Sequence, residues 1–270
     1  MPDFAAVIAA RPLVLDAAHG TRLLARGLDP ATDDAALWNL DRPADVRDLH
    51  ARDVAAGADA LLTNTFGAHR TRLRALGRAH QLEAVNRAAV SLARAAAGRD
   101  RFVLGDLGPI VGADLVEQAA ILVDAGIDAL LIETHTAETA LTALDGLAPL
   151  GAAIVVSLHA WPSDPSALAA RLADRGAVAL GVNCVPLGTV EPLLARLAEA
   201  VDLPLFAKPS AGLPGAEADP PEAFAAAARR WPALGARLVG GCCGTDARHV
   251  DALRDAVDAT LDAPLLHSTR

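Results

Sequence analysis

A single (β/α)8 barrel, of the kind typified by triosephosphate isomerase (TIM barrel), is the fold this sequence predicts. Three observations carry that expectation. Apolar runs of strand length recur eight times, each run is followed by a turn and a segment of helical period, and the alternation fills a chain of 270 residues, ordinary for such a barrel. The runs are Leu13 to Leu15, Ala60 to Thr63, Phe102 to Gly105, Ala129 to Ile132, Ile154 to Leu158, Val178 to Val182, Leu205 to Ala207 and Leu238 to Gly240. Between them the periodicity predicts helices over Asp45 to Ala56, Leu82 to Ala97, Leu115 to Ala125, Ala137 to Leu147 and Ala247 to Ala259. Asp114 and Thr245-Asp246 stand where helix N-caps are wanted, and Gly57 and Gly126 where helices stop. No linker divides the chain, so residues 1–270 read as one barrel domain. The irregular stretch Arg26 to Arg42 is expected to form a lid or wall of the active face, and Lys208 to Pro221 a second wall.

Composition narrows the function classes. Hydrophobic residues make up 53%, much of it alanine, which suits helices packed closely on a sheet. A formal charge of −9 with both signs interspersed offers no basic face to nucleic acid or an anionic membrane, and small polar substrates fit better. The start Met1-Pro2-Asp3-Phe4 lacks the pattern of a signal peptide, and no apolar run approaches membrane-spanning length. These features predict a cytoplasmic protein, in a compartment where thiols stay reduced.

Two of the three cysteines adjoin in Gly240-Gly241-Cys242-Cys243-Gly244-Thr245, and the third is Cys184 in Gly181-Val182-Asn183-Cys184. All three are expected where a strand runs out into a loop. A disulfide between neighbours is strained and leaves Cys184 over. Buried inert cysteines are the ordinary alternative, although glycines on both sides of a pair do nothing for a core strand. The third reading is a zinc site of three thiolates, open at its fourth position unless His19 or His159 closes it.

In a barrel, catalytic groups come from the C-terminal ends of the strands. There the sequence places Asp16 and His19, Asn64 and Thr65, Asp106, Glu133, His159, Lys208 and the cysteines. Asp16 and Glu133 follow apolar runs and so sit deep at the mouth, which favours function over helix capping for Glu133. Asn64 and Thr65 serve equally well as turn formers. Lys208 is expected to pair with a nearby carboxylate and not to act in catalysis, His159 to be structural or a ligand, and His69 and His135 to lie on the outer surface.

With these residues assembled, the chain resembles the homocysteine-binding methyltransferase family, which includes betaine-homocysteine methyltransferase and the homocysteine module of cobalamin-dependent methionine synthase. The resemblance rests on Leu15-Asp16 with Gly20-Thr21, Ala58-Asp59 through Thr63-Asn64-Thr65-Phe66, Leu107-Gly108-Pro109, Ile132-Glu133-Thr134, and the two cysteine motifs. It implies that Cys184, Cys242 and Cys243 bind Zn2+, with the homocysteine thiolate in the fourth position. It also implies that Asp16 and Glu133 recognise the substrate's amino group while Asn64 and Thr65 line its pocket. The expected activity is methylation of homocysteine to methionine from a small sulfonium such as S-methylmethionine or S-adenosylmethionine. Ala17-Ala18-His19 departs from the family's usual glycines, and Lys208 to Pro214 is closer to the methionine synthase module. That leaves a barrel served by a separate corrinoid protein as the alternative, and a non-catalytic thiolate zinc protein as an alternative of another class.

Overall fold

A computed structural model describes residues 2–212 and 218–261 of the chain. Eight strands form one parallel sheet: β1 (Leu13–Val14), β2 (Ala60–Leu62), β3 (Phe102–Leu107), β4 (Ala129–His135), β5 (Ile154–Leu158), β6 (Ala177–Pro186), β7 (Leu205–Ser210) and β8 (Ala236–Val239). Neighbours follow chain order with β8 beside β1, and a parallel bridge between Leu15 and Ala60 joins β1 to β2, so the sheet closes on itself. The expected barrel is therefore the observed architecture.

Side chains alternate across a strand with period two, which sorts the barrel into two layers. Leu15, Leu62, Leu104, Leu131, Phe206 and Leu238 share one buried interior cluster. The helix Phe4–Ala10 joins it from outside the barrel, with Phe4 and Ile8 in that cluster and the Phe4 ring edge-on to Phe102 at 5.3 Å. Two residues beyond Leu104, Leu131 and Phe206 come Asp106, Glu133 and Lys208. The same alternation that points leucines and phenylalanine into the floor thus points charges into the mouth. Outward residues such as Val14, Leu61, Val103 and Ile132 pack in a separate cluster with the surrounding helices. A buried leucine or phenylalanine stabilises the fold by about 1.5–3 kcal/mol. At Gly181 a Cβ would stand 1.8 Å from the Phe206 carbonyl oxygen, so β6 and β7 approach this closely only because the side chain is missing.

Several strands run further than the apolar runs suggested. β3, β4, β6 and β7 continue through Asp106, Glu133, Cys184 and Lys208, which were expected in the loops beyond. Their ladders persist because pairs such as Asp106 with Leu131 and Asn183 with Lys208 remain in register whatever the side chain. Cys242 and Cys243 do follow their strand. Gly57 and Gly126 take left-handed conformations after the helices Pro43–Ala55 and Ala113–Asp124, and Asp246 Oδ1 accepts the Arg248 amide at the start of Ala247–Leu261. Asp114, in contrast, lies inside its helix and accepts the amide and hydroxyl of Thr71. His135 is fully buried, not superficial, because β4 extends to carry it inward of the helix layer, and its Nε2 meets the Gly108 carbonyl at 2.9 Å. The stretch Arg26 to Arg42 is a wall containing the short helix Trp38–Asp41, with Trp38 buried. Of the Lys208 to Pro221 segment, residues 213–217 lie outside the described residues. No helix among the described residues is long and apolar enough to cross a membrane.

Candidate active site

Two kinks shape the mouth. Thr134 on β4 and Cys184 on β6 are the only non-glycine residues of positive φ among the described residues, at 65° and 55°, and each lies where its strand shifts register. Such conformations cost on the order of 1–3 kcal/mol each and persist when their surroundings over-determine them. Asn183 does this from the position before Cys184. Its Oδ1 accepts the Thr134 amide (3.0 Å) and the Ser157 hydroxyl (2.8 Å), and its Nδ2 donates to Thr134 Oγ1 (2.7 Å). One buried amide therefore fixes the backbone next to both Glu133 and Cys184.

The Cys184 Sγ is 2.9 Å from that of Cys242 and 4.0 Å from that of Cys243, and all three sulfurs lie within 4.8 Å of one another, unbridged. The doublet is held by its own backbone. Cys242 donates its amide to the Pro209 carbonyl, Thr245 Oγ1 donates to the Cys242 carbonyl and accepts from Ala18, and Gly244 donates to Thr21 Oγ1. Gly244 has φ +81°, and a Cβ there would meet the Gly212 carbonyl at 2.7 Å. The chemistry of this donor set fits a soft or borderline ion such as zinc. Hydrogen bonds from Cys184 and Cys242 pull the Cys243 thiol down to about 3, while the same contacts push Cys184 up. Three thiolates at this spacing repel one another and require a cation. Neither histidine named as a fourth ligand joins the cluster. His19 groups with Asp16 and His50, and His159 lies against the Thr134 carbonyl.

Carboxylates surround the thiols. Glu133 Oε2 accepts from Lys208 Nζ at 3.0 Å, both residues being about 5% exposed. Burial alone would pull the lysine down, but Glu133, Cys242, Asp106 and Asp16 outweigh it and hold the ammonium above its usual range. Asp16 is wholly buried. Its Oδ2 accepts the Leu62 amide and its Oδ1 has no partner, and burial, reinforced by Asp53, raises it to about 8. Asp106 is in the same condition, with Oδ1 unpartnered and burial and then Glu133 pushing it well up. Three carboxylates face one ammonium, and the two orphaned oxygens mark where a second cationic group is wanted.

The residues enclose a cavity of about 350 Å3, within the usual range for small-molecule sites. Asn64 and Thr65 both line it. The Asn64 amide nitrogen is committed to Ala35 and Asn39 of the wall, and the Thr65 hydroxyl to the Asp106 carbonyl and Thr63. Leu24, Leu28, Pro30 and the half-exposed Phe66 make the outer side apolar. The wall's aspartates are largely occupied: Asp33 accepts from Trp38 Nε1 and Asp34 from Arg72. Asp106 and Lys208 are the residues that the sequence left outside the substrate contacts. One signal was available for the second, since Lys208 is the only lysine among 24 basic residues.

A closed barrel whose C-terminal mouth gathers three free thiols and buried carboxyl groups around a small cavity has the make-up of a barrel enzyme's active site. The chain belongs to the homocysteine S-methyltransferase family, whose model matches residues 13–257. It is 30% identical to methionine synthase of Mycobacterium tuberculosis over 94% of this chain, and spans only 25% of that protein's length. It is 28% identical to S-methylmethionine–homocysteine S-methyltransferase BHMT2 of Mus musculus, over 82% of this chain and 72% of that protein. Among solved structures, the metallated form of the homocysteine methyltransferase MmuM from Escherichia coli superposes with a TM-score of 0.78 at 28% identity, over 93% of this chain and 98% of that one.

Proposed function

We propose that this enzyme methylates homocysteine to methionine, with zinc held by Cys184, Cys242 and Cys243 and a small sulfonium as donor. The observation that carries the reading is the cluster of three free thiols within 4.8 Å, set beside orphaned buried carboxylates. Zinc, when bound there, supplies Lewis acidity that lowers the pKa of a substrate thiol and presents it as the thiolate. The protein's groups do the rest. Asp16, Glu133 and Asp106 take the substrate ammonium, which supplies the positive charge that Lys208 alone does not. Asn64 and Thr65 shape the wall against which the rest of the amino acid lies. The substrate sulfur then attacks the sulfonium methyl carbon and displaces the neutral sulfide. A carbon–sulfur bond forms to homocysteine, the bond to the sulfonium breaks, and its electron pair leaves with the neutral sulfide. The barrel contributes mainly alignment and exclusion of water.

The apolar outer side and the exposed face of Phe66 suit a sulfonium, whose cation an aromatic ring attracts. The name of the mouse relative, which includes S-methylmethionine, agrees with that donor. The match to methionine synthase supports a second reading, delivery of the methyl group by a separate corrinoid protein. Assaying methionine formation with S-methylmethionine, S-adenosylmethionine, betaine and free methylcobalamin in parallel separates the two, since turnover with methylcobalamin alone removes the sulfonium. Zinc X-ray absorption tests the site itself. Homocysteine is expected to replace a light-atom ligand with a fourth sulfur, and an unchanged shell refutes the zinc–thiolate reading.

A further inference from the structure

A second cluster of ligating side chains stands beside the thiol site, and its two histidines are used by nothing described so far. Asp16 follows β1, His19 opens the helix His19–Leu24, and His50 lies within the helix Pro43–Ala55. One ligand atom from each lies within 4.8 Å of the others, with His19 Nε2 3.8 Å from Asp16 Oδ2 and the two imidazoles edge to face at 4.9 Å. Asp16 and His50 are wholly buried. Four polar atoms of the cluster have no hydrogen-bond partner: Asp16 Oδ1, His19 Nε2 and both nitrogens of His50. Buried polar atoms are nearly always paired, so an unpartnered nitrogen on each of two histidines beside one carboxylate marks a missing partner.

The neighbouring charges do not supply it. Arg22 is bound through both of its terminal nitrogens to Asp53, at 2.8 and 2.7 Å, and Lys208 is bound to Glu133. Burial holds His50 down at about 3 and His19 well below its usual value, with His50 and Arg22 adding to the effect on His19, so both imidazoles are neutral. Two neutral imidazoles and one carboxylate form a donor set for borderline divalent ions, chemically distinct from the three sulfurs nearby. His19 lines the active cavity, which gives an ion a path to the cluster.

We propose that Asp16, His19 and His50 form a second metal site, at the inner edge of the active cavity, for a borderline divalent ion such as zinc or cobalt(II). An ion there lies against Asp16 Oδ2, the oxygen 3.8 Å from His19 Nε2, which leaves Oδ1 to the substrate ammonium. Cobalt(II) titration of the metal-stripped, reduced full chain tests this. The thiol site reports as intense sulfur-to-metal charge transfer in the near ultraviolet. The second site reports as a further equivalent that adds only weak visible bands of nitrogen and oxygen ligation. His50→Ala and, separately, His19→Ala are expected to lose that further equivalent and keep the charge transfer. His19 sits at the cavity surface, so its variant carries the test if His50→Ala does not fold. No further equivalent in the unmodified chain, or one that survives both substitutions, overturns the proposal. The two absorption signals are separate, so this site and the thiol site fail or stand independently.

Discussion

At the scale of the residue, the mouth is governed by an imbalance: three buried carboxyl groups stand against one ammonium. Glu133→Gln keeps size and removes charge. It is expected to weaken homocysteine binding by about 1.5–3 kcal/mol, the worth of a charge-assisted hydrogen bond, which calorimetry on the zinc-loaded enzyme reads directly. Zinc content should stay the same, and its loss would put Glu133 at the metal. Lys208 gives a second check. A buried ammonium held protonated is a poor nucleophile, so reductive methylation of the folded chain should leave the Lys208 peptide unmodified, and unfolding should expose it. Modification in the native state would contradict the ion pair with Glu133. The pairing of Lys208 with a carboxylate was legible in the sequence, because both follow apolar runs and the barrel brings all strand ends to one mouth. The orphaned oxygens of Asp16 and Asp106 were not, since sequence shows which groups share a mouth but not which of them are left without a partner.

At the scale of the element, β4 and β6 are the strands on which the site depends, and Asn183 is what couples their two kinks. Asn183→Ala removes three hydrogen bonds and leaves the Thr134 amide without its partner at a strained φ. Leaving a buried donor unpaired costs about 1–3 kcal/mol, so urea unfolding should show a loss of at least that size. Metal affinity should fall too, because Cys184 is no longer fixed. A variant with unchanged zinc affinity would show that the kink at Cys184 holds without its neighbour. The number of strands could be read from the apolar runs, but their C-terminal ends could not. Asp106, Glu133 and Lys208 break the apolar pattern and read as loop, whereas the backbone ladder continues through Asp106 and Lys208, and β4 resumes its pairing at His135 beyond Glu133, because backbone hydrogen bonds are indifferent to the side chain.

At the scale of the whole molecule, pH and loss of the thiol site are expected to act on different parts of the barrel. Asp16 titrates near 8 in the folded state against an ordinary 3.8, so between about pH 4 and 8 the native chain holds a proton that the unfolded chain has released. Stability from this group is full below about pH 4 and is lost as pH rises through 8. The unfolding midpoint of Asp16→Asn, measured without metal or substrate, should therefore decline less than that of the parent from pH 5 to 8. An equal decline would mean Asp16 is not the group responsible. Stripping the metal, or Cys243→Ala, should abolish zinc retention and turnover yet leave the far-ultraviolet circular dichroism of the barrel in place, since the interior cluster under the mouth contains no thiol. Collapse of the fold on chelation would make the metal structural. That apolar floor, alternating by two with the charges above it, also bears on descent. Changes at Asp106, Glu133 or Lys208 alter what the mouth recognises while the leucines and phenylalanine beneath continue to specify the same barrel. A lineage carrying this scaffold can drift from one thiol or donor to another through folded, selectable intermediates.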